Sequence, residues 1–155
     1  MTQDNTAATG NWLLLDRQLC FALYSTSLAM TKLYKPILSE LGLTYPQYLV
    51  MLVLWEDETL TVSELGARLA LDSGTLTPLL KRLESVGLVA RKRDAQDERR
   101  VLVSLTESGR QLRQSATSIP EKMLCATQCS IDEIQALTQR LHALRSTLEE
   151  ARTES

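Results

Sequence analysis

Apolar residues recur every three or four positions along much of the chain, which is the spacing of one face of an α-helix. The first such stretch runs from Leu19 to Leu41, and Asp16 is a candidate N-cap for it. Pro36 has no backbone N–H, so we expect it to kink this helix or to divide it. Gly42 is expected to end the helix. The pattern therefore predicts a long helix near the start of the chain.

Polar residues at fixed offsets mark where later helices begin. Thr44, Thr61 and Ser130 are each followed three residues later by Gln or Glu, which is the capping-box pattern. Asp72 is a candidate cap for a further helix over about residues 73–85. These signals predict two helices in close succession in the middle of the chain and another helix at its end.

The pattern of apolar residues changes from helical to alternating after this central pair of helices. Residues 88–91 and 101–105 predict two strands, which the charged stretch 92–100 joins into a hairpin. Two helices followed by such a hairpin are the layout of a winged helix-turn-helix, in which a helix enters the major groove of DNA and the hairpin tip reaches the minor groove. The same layout also occurs as a plain scaffold with a solvated tip, so the pattern alone leaves both interpretations open.

The last third of the chain is again helical. Thr106 is expected to cap a long helix to about Cys129, with a kink at Pro120. The apolar faces of the first and last helices are too wide for a chain of this size to cover, which indicates a second copy of the chain. We predict a flexible tail at residues 1–11 and a single domain at residues 12–155, with dimerisation helices over about 12–41 and 106–152 and a winged helix over about 44–105.

Composition supports a mostly α-helical globular protein. The chain has 155 residues, of which 44% are hydrophobic and 23% charged, and only six are Gly. The longest apolar runs are too short to cross a membrane, so we expect a cytoplasmic protein without a membrane partner. Three Cys do not suggest a disulfide framework. A single His does not complete a metal site with two Cys, so no metal or other cofactor is expected.

Positive charge is concentrated where the winged helix is predicted. The formal net charge is −2, but residues 72–100 carry seven Lys or Arg against five Asp or Glu. Ser73, Thr75 and Thr77 are placed to meet base edges or phosphates, and basic side chains later in the same helix and in the hairpin are placed to bind phosphates. These basic residues are Lys81, Arg82, Arg91, Lys92, Arg93, Arg99 and Arg100.

The hairpin and the residues after it resemble a known family. The segment from Asp97 to Gly109 matches the wing motif of the MarR family, Asp-x-Arg followed by a strand and Leu-Thr-x-x-Gly. The resemblance implies a homodimer that binds double-stranded, pseudo-palindromic operator DNA, with Arg99 in the minor groove and Asp97 orienting the wing. The candidate DNA-binding residues are then Asp72, Ser73, Thr75, Thr77, Pro78, Lys81, Arg82, Arg91, Lys92, Arg93, Asp97 and Arg99.

Cys20 is the residue that bears on which chemical signal the regulator senses. A Cys between Leu and Phe in a helix is commonly a small buried hydrophobe. Tyr24, Tyr34 and Tyr45, in contrast, are phenolic donors of the kind that stabilise a thiolate in an apolar pocket, although they also suit a core or an interface. Tyr34 follows Cys20 by fourteen residues, about 21 Å along one helix, so a single chain does not bring them together. If two copies of the helix cross antiparallel near Ser27, Cys20 of one lies opposite Tyr34 of the other. We therefore expect a cysteine site shared between subunits.

The resemblance narrows at these residues. Cys20 and the tyrosines, with residues 43–48 and 71–78, are similar to the organic hydroperoxide regulators (OhrR) within the MarR family. That resemblance implies that Cys20 is peroxidatic and that Tyr34 and Tyr45 bond to it from the other subunit. It also implies the two-cysteine class, in which Cys125 of the partner subunit resolves the oxidised Cys20 as a disulfide. Cys125 and Cys129 also suit simple packing positions in a dimer, and Cys129 is expected to be a bystander.

The function expected from the sequence is therefore a repressor that organic hydroperoxides release from its operator. The alternative within regulators is a MarR-type repressor released by a small phenolic ligand without redox chemistry. A thiol peroxidase would share the first chemical step with the redox sensor. The chain shows a wing motif and no thioredoxin-like alternation of strands and helices, so we do not expect an enzyme.

Overall fold

The computed structural model describes residues 10–153, and the predicted tail at residues 1–11 lies outside them apart from Gly10 and Asn11. The protein is mostly helical (71%), as the sequence predicts, with a small three-stranded antiparallel sheet. The described residues divide into two compact units, with the boundary after Ala116. No helix among the described residues has the length and apolar character needed to cross a membrane.

The first long helix, α1, spans Leu19–Ser39 as one piece. Asp16 does not cap it, because Asp16 lies in a short 3-10 helix, Leu15–Arg17, and Gln18 occupies the cap position without a side-chain hydrogen bond. Of the two outcomes expected at Pro36, a kink or a division, the division does not occur. Pro36 lies in the last turn, where the missing N–H removes a single helical bond.

A tight turn then leads into the core helix α2, Tyr45–Glu56. Gly42 adopts a positive φ of 69°, and the N–H of Leu43 bonds back to the carbonyl of Leu38 at 3.0 Å. The Thr44 capping box forms as predicted, with reciprocal bonds to Gln47. Burial of most of α2 makes it the centre of the first unit; its buried apolar residues are Tyr48, Val50, Met51, Val53, Leu54 and Trp55.

Helices α3 (Val62–Leu69) and α4 (Ser73–Ser85) form the predicted pair. Thr61 and Asp72 cap them, as the sequence indicates. The turn between them is close-packed, because a Cβ on Gly66 would lie 2.7 Å from the carbonyl oxygen of Leu71. The N–H of Leu71 bonds to the carbonyl of Gly66 at 2.9 Å, so this glycine sets the angle between the two helices.

The sheet has three strands in the order β1-β3-β2, where β1 is Thr59–Thr61, β2 is Val89–Arg93 and β3 is Val101–Leu105. The two wing strands were predicted, but β1 was not. Three residues are too few to show alternation, and the third of them, Thr61, also carries the capping box of α3. β1 ties the start of α3 to the wing through its antiparallel pairing with β3.

The helix predicted over residues 106–129 is in fact two helices. Helix α5 spans Glu107–Ala116 and α6 spans Ile119–Thr127. Pro120 lies in the first turn of α6, where its missing N–H has no helical partner to lose, so it starts a helix rather than kinking one. Thr106 caps α5 as predicted, through the N–H of Gly109 at 3.1 Å.

The last helix, α7, spans Ile131–Thr153 and opens with the predicted capping box between Ser130 and Glu133. None of its described residues is buried, and Leu38 alone is buried in α1. The large apolar side chains that these two helices leave exposed are Leu19, Phe21, Tyr24, Leu28, Met30 and Leu33 on α1 and Ile131, Leu137, Leu141 and Leu148 on α7. Such faces are typical of helices that pack against another chain.

Candidate DNA-binding face and cysteine site

Helix α4 presents the polar side chains that the sequence assigns to DNA. The Asp72 carboxylate accepts a bond from the N–H of Thr75 at 2.7 Å, which fixes the first turn and lowers the pKa of Asp72. Ser73 and Thr75 are exposed, whereas Thr77 is half-buried and its hydroxyl donates to the carbonyl of Ser73 at 2.7 Å. Lys81 and Arg82 are exposed one to two turns further along.

Pro78 lies within α4 rather than in its first turn. It is exposed, and it cannot supply the N–H that would bond to the carbonyl of Gly74. The proline therefore removes one possible helical hydrogen bond from the stretch of α4 that carries Ser73 and Thr77.

The wing tip is held by its own acidic residues. Asp97 accepts bonds from the backbone N–H and from Nε of Arg99, at 3.1 and 3.3 Å. The N–H of Arg100 bonds to the backbone carbonyl of Asp97 at 2.9 Å. Arg99 remains 94% exposed in its side chain, so Asp97 directs this arginine outwards without covering it. Lys92 and Arg93 are exposed on β2, and Arg93 donates to the carbonyl of Glu98 at 3.0 Å.

Arg91 has a different environment from the other wing cations. Its Nε and Nη2 bond to the Glu84 carboxylate at 3.1 and 3.3 Å, and its backbone N–H bonds to the same carboxylate at 3.1 Å. Its side chain is 24% exposed. The bonds from Arg91 lower the pKa of Glu84, which keeps the pair ionised.

A cavity of about 650 Å³ joins these elements on one face. Ser73 and Thr77 from α4 line it together with Arg91, Arg99 and Arg100 from the wing. Hydroxyl groups and guanidinium groups around one cleft are the donors that bind phosphate oxygens in protein–DNA complexes. The structure thus brings four of the twelve predicted DNA-binding residues into one cleft, namely Ser73, Thr77, Arg91 and Arg99.

Cys20 is the second residue of α1 and is exposed. Tyr24 lies one turn further along the same face and is 64% exposed. Phe21 and Leu19 beside them are exposed as well, so the surroundings of Cys20 on its own chain are apolar and open.

Tyr34 and Tyr45 come together at the other end of α1. Their ring centroids are 4.7 Å apart, and the Tyr34 ring is 5.9 Å from that of Tyr48. Burial, with the neighbouring Tyr45 and Tyr48, raises the pKa of Tyr34 to about 12, and burial also raises the pKa of Tyr45. Both phenols are therefore neutral near neutral pH and keep an O–H to donate.

The chain's own Cys20 does not reach this tyrosine cluster. Because α1 is continuous from Leu19 to Ser39, Tyr34 lies about 21 Å along the helix from Cys20. Cys125 is exposed on α6, and Cys129 follows the end of that helix, also exposed, with its thiol donating to the carbonyl of Thr127 at 3.5 Å. All three thiols are free, and no group of three or more His, Cys, Asp or Glu within residues 10–153 is arranged to hold a metal ion.

Two residues of these sites, Tyr48 and Glu84, were not predicted, and a third, Arg100, was predicted only as a basic residue of the wing. Tyr48 follows Tyr45 by three positions, so helical spacing was a signal for it. Arg100 was recognised as part of the basic tip, but its place in the cavity depends on the hairpin geometry. Glu84 pairs with a residue seven positions away across a turn, and no local pattern indicates that contact.

A helix pair, a three-stranded sheet with a basic wing and a cleft lined by hydroxyl and guanidinium groups define a winged-helix DNA-binding regulator. Residues 32–115 match a family model described as transcriptional regulator SarA/Rot. The organic hydroperoxide resistance transcriptional regulator of Bacillus subtilis (strain 168) is 53% identical over 134 residues, which cover 86% of this chain and 91% of that protein.

Solved structures of regulators also have a fold similar to this chain. Reduced AbfR of Staphylococcus epidermidis bound to DNA has a TM-score of 0.73 and 35% identity, and covers 88% of this chain and 93% of the matched one. Disulfide-formed AbfR has a TM-score of 0.58 and 33% identity, over 94% and 97% of the two chains. The chain belongs to the MarR family of winged-helix transcriptional regulators, which confirms the family and the fold predicted from the sequence.

Proposed function

We propose that this protein is a DNA-binding transcriptional repressor that organic hydroperoxides release from its operator by oxidising Cys20. The observation that carries the proposal is the 53% identity to a regulator of organic hydroperoxide resistance, in a chain that exposes Cys20 at the start of α1. Each switch of the protein consumes one hydroperoxide and is not a catalytic turnover, so the protein acts as a sensor and not as an enzyme. Its place of action is the cytoplasm.

The repressor binds DNA as a homodimer. The exposed apolar faces of α1 and α7 support this assembly, because a single chain leaves them in water. We assign dimerisation to residues 12–41 and 106–152 and DNA contact to the winged helix at 44–105, with residues 1–11 as a flexible tail. Two α4 helices related by a two-fold axis then enter successive major grooves of a pseudo-palindromic operator.

The site that reacts with the peroxide is assembled from both subunits. Cys20 is about 21 Å along α1 from Tyr34 of the same chain, so the tyrosines that donate to it come from the partner subunit. Tyr34 and Tyr45 are neutral donors, and Tyr24 lies one turn from Cys20 on its own helix. Apolar neighbours such as Phe21 favour an organic hydroperoxide over hydrogen peroxide.

The oxidation of Cys20 and the formation of the disulfide are two separate steps. The Cys20 thiolate attacks the distal oxygen of the hydroperoxide; the S–O bond forms, the O–O bond breaks, and the alkoxide leaves as an alcohol after taking a proton. Cys20 is then a sulfenic acid. The Cys125 thiol of the partner subunit attacks this sulfur, which forms the disulfide and releases the hydroxyl group as water. Two electrons pass from the two thiols to the peroxide.

The disulfide is what moves the DNA-binding lobes. AbfR, a relative, has been solved both in a reduced form bound to DNA and in a disulfide form, which supports a redox switch of this kind. Linking Cys20 to Cys125 of the partner subunit constrains the dimerisation helices and shifts the two α4 helices out of register with successive grooves. A thiol reductant restores binding.

Mixed dimers test this arrangement. A Cys20→Ser chain and a Cys125→Ser chain, refolded together and treated with about one equivalent of cumene hydroperoxide, are expected to give a reducible cross-linked dimer on denaturing electrophoresis. Neither variant alone should give one. Cys129→Ser is the matched control and should cross-link like the wild type. A cross-link that requires Cys129, or none in the mixture, contradicts the assignment.

A further inference from the structure

The carboxylate of Glu84 accepts three hydrogen bonds from a single residue of the wing. Glu84 lies in the last turn of α4, and it bonds to the backbone N–H, Nε and Nη2 of Arg91 on β2. We propose that the pair Glu84–Arg91 is a positioning tie that fixes the wing relative to the DNA-binding helix α4, so that Arg91 acts through Glu84 and not as a phosphate contact.

The strand order makes this tie possible. β2 is at an edge of the sheet, and Arg91 is aligned with Val103 of β3. Its N–H points away from the sheet and is taken up by Glu84 rather than left open. The carboxylate therefore grips the main chain of the strand as well as a side chain, and a bond to the main chain restricts where the strand can lie.

The tie closes a short ring of structure. Helix α4 ends in a turn at Gly87, which has a φ of 78°, and the N–H of Leu88 bonds back to the carbonyl of Leu83 at 3.0 Å. The turn joins the start of the strand to α4, and β3 pairs with the strand along its length. Glu84 supplies a second attachment to α4 three residues beyond Leu88, so the strand is held to this helix at two points.

The contrast with Arg99 supports the division of roles. The Arg99 side chain is 94% exposed, whereas Arg91 is 24% exposed and its Nε and Nη2 are directed at Glu84. The Glu84 carboxylate occupies Nε and Nη2 of Arg91, which leaves fewer of its five N–H groups for a phosphate than Arg99 has. Arg91 lines the cleft, but its role there is to hold the wing in place and not to bind a phosphate.

The sign of one substitution separates positioning from simple electrostatics. Removing an acidic side chain near DNA strengthens binding if charge alone matters, because repulsion of the phosphates is reduced. If Glu84 positions the wing, Glu84→Ala weakens binding instead. A partly exposed ion pair adds little to folding stability, so the unfolding midpoint is expected to stay unchanged.

The inference rests on the DNA binding proposed above, and its test uses reduced protein with a duplex that the wild type selects from randomised DNA. We expect Glu84→Ala to lower the affinity at least fivefold with an unchanged salt slope. Glu98→Ala is the matched control, since Glu98 is an exposed wing residue whose carboxylate has no arginine partner within residues 10–153; its affinity should be unchanged or higher. Affinity of Glu84→Ala equal to or above that of the wild type overturns the proposal.

Arg91→Ala supplies a second readout. A lost phosphate contact lowers the slope of log affinity against log salt by about 1. The tie predicts instead an unchanged slope. It also predicts that the affinity loss of Glu84→Ala does not grow when Arg91→Ala is added, because Glu84→Ala already removes every bond between the two residues. A slope reduced by about 1, or fully additive losses, identifies Arg91 as a phosphate contact and rejects the tie.

Amide hydrogen exchange of the DNA-free protein separates this inference from the proposed function. The Arg91 N–H should exchange faster in Glu84→Ala than in the wild type, while the Arg91 N–H in Glu98→Ala keeps the wild-type rate. Exchange that changes as expected supports the tie even in a protein that binds no DNA. Unchanged exchange in Glu84→Ala overturns it whatever the protein regulates.

Discussion

Gly109 lies where helix α5, the wing and helix α2 meet, and replacing it with Ala should destabilise the fold. A Cβ at this position would be well under 3.0 Å from the carbonyl oxygen of Leu88 and 3.0 Å from Cδ2 of Leu105. The leucine side chain can rotate, but the carbonyl belongs to the backbone that opens the wing. The indole N–H of Trp55 also bonds to the carbonyl of Gly109 at 2.9 Å, in a buried position.

The expected magnitude follows from opposing contributions. Helix propensity alone makes Gly→Ala favourable by about 1 kcal/mol. Overpacking against a fixed backbone costs roughly 1–3 kcal/mol, and strain on the Trp55 hydrogen bond adds about 1 kcal/mol. Gly109→Ala should therefore lower the free energy of unfolding by about 2 kcal/mol, which is opposite in sign to the propensity.

Urea unfolding at a fixed protein concentration measures this loss. With a slope of about 2 kcal/mol per M, the midpoint should fall by roughly 1 M. Gly74→Ala is the control, because the added Cβ meets a side-chain oxygen of Asp72 at 3.2 Å and no backbone atom. With the same gain in helix propensity, its midpoint should not fall. A Gly109→Ala protein as stable as the wild type would refute the packing argument.

Four further outcomes are expected. Arg99→Ala should weaken operator binding without slowing Cys20 oxidation, and normal affinity would rule out its role in the wing. Tyr34→Phe should slow oxidation by organic hydroperoxide while the melting temperature is retained, and an unaltered rate would count against the shared site. Leu141→Glu should shift the protein to monomer in sedimentation velocity, because Leu141 is part of the exposed apolar face of α7; an intact dimer contradicts that assignment. Burial raises the pKa of Tyr34 to about 12, so alkaline ultraviolet titration should show this phenol ionising at a higher pH than an ordinary tyrosine. The stability that the neutral phenol contributes should be lost as the pH rises from the ordinary tyrosine pKa towards 12. Ionisation near the ordinary tyrosine pKa would disprove the burial of Tyr34.

Local signals explain why so much of the fold was predictable. The capping bonds at Thr44, Thr61 and Asp72 each join residues three positions apart, so both partners are visible in a short stretch of sequence. Alternation likewise predicted the two wing strands. The one capping assignment that failed is Asp16, which lies in a short 3-10 helix before α1 instead of at its cap position.

The remaining features depend on contacts that sequence separation hides. β1 exists because Thr59–Thr61 pairs with β3, more than forty residues later in the chain. The chain breaks between α5 and α6 instead of bending, because Pro120 suits the first turn of a helix better than the middle of one. The tie between Glu84 and Arg91 crosses a turn whose geometry no periodicity reveals.

The candidate cysteine site was predicted from the same geometry that the structure describes. Fourteen residues separate Cys20 from Tyr34, and the unbroken α1 converts that number into about 21 Å. The family resemblance implied that Tyr34 and Tyr45 bond to the same cysteine, and in the structure their ring centroids are 4.7 Å apart. The role of Cys125 stays a prediction that the mixed dimers test.

The central claim is that oxidation of Cys20 releases DNA, and operator affinity before and after hydroperoxide tests it most directly. The wild-type protein should lose affinity after about one equivalent of cumene hydroperoxide and regain it with dithiothreitol. Cys20→Ser should bind with wild-type affinity and keep that affinity after the same treatment. Release of Cys20→Ser by hydroperoxide to the same extent as the wild type would contradict the account, and would point to a repressor that binds its effector without redox chemistry.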